Sequence, residues 1–264
     1  MHRMKFLCLL WISAILLAGS VRGSAQDVIF PGEELTYRVS YLNVTLGTIK
    51  SVCEGYTTRN GERAAKVKVY IKSSPNIPFV SLNSIYESWM DTSITYSRHF
   101  TANTEIDGGK WEYDQYVLDY PARSLVMDKF RDKQKVSSKS YTIGKRYNDG
   151  SSLLFTARNL VSAKKTIRLP TLIMDDTVNT VVNFRGTKGS VEVDAVNYPV
   201  KTLYLDGVAN WTGIYGLSGI FEGWFSDDAA RVPIKAKMKV YVGSVTIELQ
   251  SWKRGSWTPP RADS

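Results

Sequence analysis

The sequence predicts a mainly β protein: a single antiparallel, strongly curved sheet, closed as a barrel or open as a half-barrel, with one α-helix near 151–163. Three observations predict it. Apolar and polar residues alternate with period two through most of the chain, the signature of strands with one face covered. Gly, Asn, Asp and Pro separate these segments at short intervals. Only one stretch combines helical spacing with a capping sequence. Ten or more strands in one flat sheet would leave long edges, and curvature or closure removes that difficulty.

The first residues read as a secretory leader. Arg3 and Lys5 precede an apolar run from Phe6 to Ala18, and Gly23-Ser24-Ala25 supplies small residues before a cut after Ala25. The run has about 13 residues, short of the roughly 20 that span a bilayer. Cys8 lies inside the run and Cys53 far beyond it, so neither is placed for lipid attachment. These features predict a periplasmic or otherwise exported protein. The division is a leader over 1–25, one β-rich domain over 26–252, and a flexible tail over 253–264 containing Pro259-Pro260. No later segment approaches 18 consecutive apolar residues, so no transmembrane helix is expected after cleavage.

Composition narrows the chemistry. The full chain carries 34 Lys+Arg against 25 Asp+Glu, and loss of Arg3, Lys5 and Arg22 leaves a net charge of +6. After cleavage Cys53 and His99 are the sole residues of their types, so neither an internal disulfide nor a Cys/His zinc site can be assembled. Carboxylate sites for hard cations stay open. No cofactor-binding motif is present.

Leu35, Tyr37, Val39 and Tyr41 alternate with Thr36, Arg38 and Ser40, predicting a first strand, and Val44 to Val52 resumes as a second. Ala65, Val67, Val69 and Ile71 alternate with Lys66, Lys68, Tyr70 and Lys72, a strand with a basic face. Between Pro75 and Asp91 the spacing of Phe79, Leu82, Tyr86 and Trp89 fits a helical turn, while Pro75 and Pro78 fit a loop entering a strand. Trp111 to Asp119 and Ser124 to Phe130 form a pair around Tyr120-Pro121, and Lys133 to Lys145 is a strand pair or a long loop. Asn148-Asp149-Gly150-Ser151-Ser152 is the clearest helix start, with Asp and Ser placed to accept from free backbone N–H groups. Leu153, Leu154, Ala157, Leu160 and Val161 follow at helical spacing, and Lys164-Lys165 complements the dipole at the end.

From Thr166 the chain is β again, with Thr177 to Arg185, Ser190 to Val196 and Lys201 to Asn210 separated at Gly186–Gly189 and Asn197–Pro199. Phe221 to Phe225 precedes Ser226-Asp227-Asp228. The last hairpin alternates Ile234, Ala236, Met238 and Val240 with Lys235, Lys237 and Lys239, then turns at Gly243-Ser244.

Three blocks recur in a known order. They are Phe30-Pro31-Gly32-Glu33-Glu34-Leu35-Thr36-Tyr37 with Gly47, then Asp149 to Leu154 with Arg158. The third runs from Trp224 to Asp228 into Val232-Pro233-Ile234, then Gly243-Ser244 and Leu249. Together, from Val28 to Leu249, they resemble the DUF3108 family of exported bacterial proteins. The resemblance implies an envelope protein of unestablished biochemical role and brings no catalytic or ligand residues with it.

No catalytic set emerges. A Ser or Cys nucleophile needs a base, and His99 in Ser97-Arg98-His99-Phe100 has no elbow-like motif beside it. Asp175-Asp176, Asp227-Asp228 and Glu112/Asp114 pair acids in sequence, but at turns and strand faces, where such residues ordinarily bond local backbone. Asp149 is placed to cap the helix. Arg158 is placed to brace a strand or a carboxylate, or else to hold an anionic group. Trp211, Tyr215, Phe221, Trp224 and Phe225 interleave with Gly213, Gly216, Gly219 and Gly223, either as rings covering a bent glycine strand or as the lining of an apolar cavity.

The ligand-binding candidates are therefore Trp211, Tyr215, Phe221, Trp224 and Arg158. The functional expectation is a non-enzymatic envelope protein that carries an apolar, lipid-like molecule inside the curved sheet. The alternative is a structural or protein-interaction module in envelope assembly. Export argues against nucleic acid as the partner of the basic strand faces, and edge lysines also guard against aggregation.

Overall fold

The computed structural model describes residues 28–75, 77, 81–106, 109–212, 218–240 and 242–262. The predicted leader lies outside them. The chain forms β1 (Glu33–Tyr41), β2 (Val44–Arg59), β3 (Glu62–Ser73), β4 (Asn83–Met90), β5 (Ser97–Ile106), β6 (Lys110–Asp119), β7 (Ser124–Arg131) and β8 (Gln134–Thr142). The helix α1 (Gly150–Leu160) follows. Then come β9 (Lys165–Ile173), β10 (Asp176–Val191), β11 (Val200–Ala209), β12 (Gly219–Ser226), β13 (Pro233–Lys239) and β14 (Ser244–Lys253).

All fourteen strands join one antiparallel sheet in the order β8-β7-β6-β5-β4-β3-β2-β1-β14-β13-β12-β11-β10-β9. The first and last strands pair at its centre, Tyr37 facing Leu249, and the two edges, β8 and β9, are joined in sequence through α1. That connection forces curvature. Laid flat, fourteen strands would separate the edges by about 60 Å. The 22 residues between them, half of them helical, reach at most roughly 55 Å.

The edges do meet without pairing as a ladder. Lys139 on β8 contacts Asp175 in the β9–β10 turn at 2.7 Å. Leu172 on β9 packs with Tyr116, Leu118, Leu125, Met127 and Ile143 from the β6–β8 side. The sheet is curled and unclosed, the open alternative of the sequence expectation.

Helix α1 fills the curl. Asp149 Oδ1 accepts from Ser151 N and Ser152 N at 2.8 and 2.9 Å, and Ser152 Oγ accepts from Asp149 N at 2.8 Å, a complete capping box. The helix ends at Leu160, three residues before the predicted Ala163, with Val161 as C-cap. Lys164 adopts a left-handed φ of 52° that turns the chain into β9. Phe155 points into one wing, against Val28, Ile29, Cys53, Ala65, Val67, Met90 and Ile94. Ala157 and Val161 point into the other, against Leu169, Val182, Phe184, Leu203, Leu205 and Phe225. A single short helix thus supplies core to both halves.

Of the two readings left open for 75–91, the described residues favour the strand, β4 from Asn83 onward. Other expectations are corrected. Gly186–Gly189 is no turn: β10 runs through it, and its register against β11 shifts between Phe184 and Thr187. A bulge with Gly186 at φ 66° absorbs the extra residues. The tail is no free end either. Lys201 N donates to Pro260 O at 2.8 Å and Ala262 N to Pro199 O at 2.9 Å. Trp257 packs on Trp252 and donates to Asp228 at 2.7 Å. The sequence reading missed this because two prolines and a terminal position resemble a frayed end until their partners are seen.

Phe155 is 1 % exposed, and truncation there opens a void that neither wing can fill. Phe155→Ala is expected to lower the unfolding free energy by about 3–5 kcal/mol in urea titration.

Candidate functional site

A buried, charged assembly lies where α1 meets the centre of the sheet. Arg158, on the last turn of the helix, is fully buried, and so is Glu33 at the start of β1. Arg158 Nη1 donates to Glu33 Oε1 at 2.7 Å and Nη2 to Oε2 at 3.0 Å, a bidentate pair. Its remaining donors reach Ala230 O at 3.0 Å and Arg231 O at 3.2 Å. Arg254, just past β14, also pairs with Glu33, and Arg231 Nη1 donates to Asn159 O at 2.8 Å. Burial opposes ionisation of Glu33, yet Arg158 and Arg254 outweigh it and hold the carboxyl below its usual range. This clasp joins helix, first strand, last strand and the 230–231 loop through protein acceptors.

Asp149 does not partner Arg158. It caps the helix and accepts from Ser88 Oγ of β4 at 2.6 Å, so the helix N-terminus is fixed to β4 as its C-terminus is fixed to β1. Full burial raises its pKa despite those hydrogen bonds. Sequence reasoning missed Glu33 and Arg254 as the partners of Arg158. The one available signal was Glu33 sitting in the Phe30–Tyr37 block.

The aromatic candidates do not converge. Phe221 covers Gly207 so closely that a Cβ there would lie 2.4 Å from its ring, and it joins the Phe184–Phe225 core. Trp224 lies on the opposite face, packed against Tyr204 at 5.4 Å with Lys237 over its ring. Trp211 donates to Thr180 Oγ1 at 2.8 Å. Tyr215 lies outside the described residues. Period-two alternation explains the split, since residues 221 and 224 differ by an odd number.

The acidic pairs are engaged locally. Asp228 accepts from Ser226 Oγ, Arg231 N and Trp257 Nε1, and Asp227 pairs with Lys188 at 2.9 Å. Glu112 pairs with Arg131 and Lys129. Asp114 has a pKa raised to about 6, chiefly by burial; it lines a cleft of only about 20 Å³ with Asp128, Lys129, Ser137, Lys139 and Asp175. The lysine face of β3 is neutralised at two of its three lysines: Lys66 contacts Glu54 and Glu87, and Lys68 contacts Glu87. His99 is buried on the same face, its Nε2 2.7 Å from Arg59 Nη2. Burial, then the Arg59 charge, push its pKa down to about 4.

Besides Phe30, Tyr70, Val136 and Tyr141, the exposed large apolar residues gather at one end of the sheet. Leu42 in the β1–β2 turn, Val44 at the start of β2, Val242 in the β13–β14 turn, and Ile220 at the start of β12 are 63, 53, 58 and 48 % exposed. Ile106 and Met174 stand exposed at the same end, on β5 and in the β9–β10 turn. The opposite end is occupied by α1, the clasp and the packed tail.

Two measurements test the clasp and its surroundings. Glu33→Ala strands two buried guanidinium groups and is expected to cost about 3–5 kcal/mol in urea titration. An imidazole that resists protonation when folded leaves the unfolded chain holding more protons below pH 6.5. The His99 contribution is therefore full above that pH and lost from 6.5 towards 4, opposed by Asp114, whose raised pKa adds stability as pH falls from about 6, with Glu33 adding a loss below the ordinary carboxylate range. The difference in melting temperature between the wild type and His99→Gln should be level above pH 6.5 and move against the wild type between 6.5 and 4, while the Asp114 and Glu33 effects stay common to both.

Comparisons with known proteins agree on architecture. The sequence profile of DUF3108, described as a protein of unknown function, matches residues 36–250. No curated protein matches the chain. Among solved structures, the chain is similar to a β-barrel-like protein of the domain of unknown function DUF1849 from Brucella abortus. The TM-score is 0.56 at 11 % identity, with 87 % of this chain and 99 % of that one covered. That likeness concerns the fold alone. With the profile spanning most of its length, the chain belongs to the DUF3108 family.

Proposed function

We propose that this protein is a non-catalytic component of the bacterial envelope that works as an interaction module, using its curled sheet as a rigid mount for the apolar turns at one end. The observation that carries this reading is the filling of the concave side. Helix α1 seats Phe155 in one wing and Ala157 with Val161 in the other, and the Arg158–Glu33 pair locks it there. A carried apolar molecule needs a hollow of roughly 300 Å³ or more lined by apolar groups. The larger of the two best-formed hollows among the described residues, about 370 Å³, is an open dish beside Lys164, Lys165, Thr166, Asn183, Arg185 and Thr187. Its lining is polar, which favours the module over the carrier. The leader-like residues 1–25 support an exported location.

A photo-crosslinking residue placed at Val44 in living cells should label one dominant envelope component, while the same residue at Lys68, on the neutralised face, should not. Equal labelling from both positions, or none from Val44, contradicts the module.

A further inference from the structure

The apolar turns are costly to the fold. Leu42 adopts φ 46° and Met174 φ 51°, the left-handed region where a bulky side chain is strained and Gly, Asn or Asp fits better. Met174 is 72 % exposed, more than Leu42, so neither residue gains burial in return. Two hairpins thus hold a large apolar group at the position least suited to one, and point it into water.

The β1–β2 and β13–β14 turns are also neighbours. Tyr41 OH donates to Val242 O at 2.7 Å, and a Cβ on Gly243 would lie 3.5 Å from Leu42 Cδ2. Strand order sets β2, β1, β14, β13 and β12 side by side, so Leu42, Val44, Val242 and Ile220 share one patch. Its charge is one-sided. The described residues 41–46, 72–75, 77, 81–82, 209–212, 218–221, 239–240 and 242–244 contain no Asp or Glu, while the exposed Asp175 and Asp176 lie beside Met174, beyond β11. Lys72 and Lys239 stand exposed there, with no ion pair among the described residues.

We infer that this end of the sheet docks on an anionic lipid bilayer, with Leu42, Val44, Ile220 and Val242 entering the interfacial layer and Lys72 and Lys239 meeting the head groups. Separate projecting side chains on rigid turns suit a soft interface more than a shaped protein groove. Apolar insertion and lysine attraction add in such binding. The inference rests on the interaction-module reading and names its partner.

The test is co-sedimentation of the mature chain with vesicles of phosphatidylethanolamine and phosphatidylglycerol, against vesicles of phosphatidylcholine alone. The anionic vesicles should bind it and the zwitterionic ones should not, with binding weakened by salt. Leu42→Asn should lower the partition coefficient about tenfold while its melting temperature stays level or rises, since Asn relieves the strained turn. Val242→Ser should weaken binding similarly, and a Lys72→Gln/Lys239→Gln variant should flatten the salt dependence. Absence of binding to either vesicle, equal binding to both, or undiminished binding by Leu42→Asn overturns the inference. If vesicles fail while crosslinking from Val44 traps a protein, the module stands and the bilayer as its partner falls.

Discussion

The fold depends on a fully buried ion pair between residues 125 positions apart, Arg158 on the helix and Glu33 at the start of the first strand. Two charges removed from water are tolerable only with near-ideal geometry and every remaining donor satisfied. The geometry here comes close to that: the fork is bidentate, and two further guanidinium donors end on the carbonyls of Ala230 and Arg231. Arg254 closes the other side of the same carboxylate. Because each partner comes from a different part of the chain, the pair can form only when helix, central strands and tail are all in place. Exposed contacts such as Lys139–Asp175 carry no such condition and contribute little.

The clasp also lets the sheet remain open. A closed barrel removes its edges by pairing them, whereas here each edge is handled separately. β9 is covered over its second half: Asn148 N donates to Pro170 O and Leu172 N to Asn148 O, while the Leu172 side chain packs into the opposite wing. β8 is almost wholly exposed and mostly polar, and Lys135 and Lys139 beside Val136 and Tyr141 discourage pairing with another chain. The helix occupies the volume that closure would otherwise have to enclose.

Much of this was legible in the sequence, and the failures share a cause. Alternation located most of the strands that have one covered face, though β5 went unread and β4 and the exposed β8 stayed ambiguous, and the Asp149–Ser152 box marked the helix start because capping is local chemistry. Long-range partners left no such trace. Arg158 reads equally well as an anion ligand until Glu33 is found beside it, and the tail reads as frayed until Trp257 meets Asp228. Gly186–Gly189 has the composition of a turn, yet β11 supplies ladder partners on both sides and makes it a bulge. The aromatic cluster misled differently. Residues close in sequence on a strand face opposite ways, so Trp224 and Phe221 cannot line one cavity. The exposed turns escaped notice because single apolar residues at hairpin tips are unremarkable until strand order brings them together.

Hydrogen exchange on the wild-type chain bears most directly on the central claim, that α1 is a locked part of the core and not a plug over a hollow. Amides of residues 153–160 should exchange with the same free energy of opening as those of β1 and β11, meaning that the helix leaves only when the whole domain unfolds. Opening of the helix well below that value, with β1 and β11 still protected, would show that the sheet stands without it and would contradict the account.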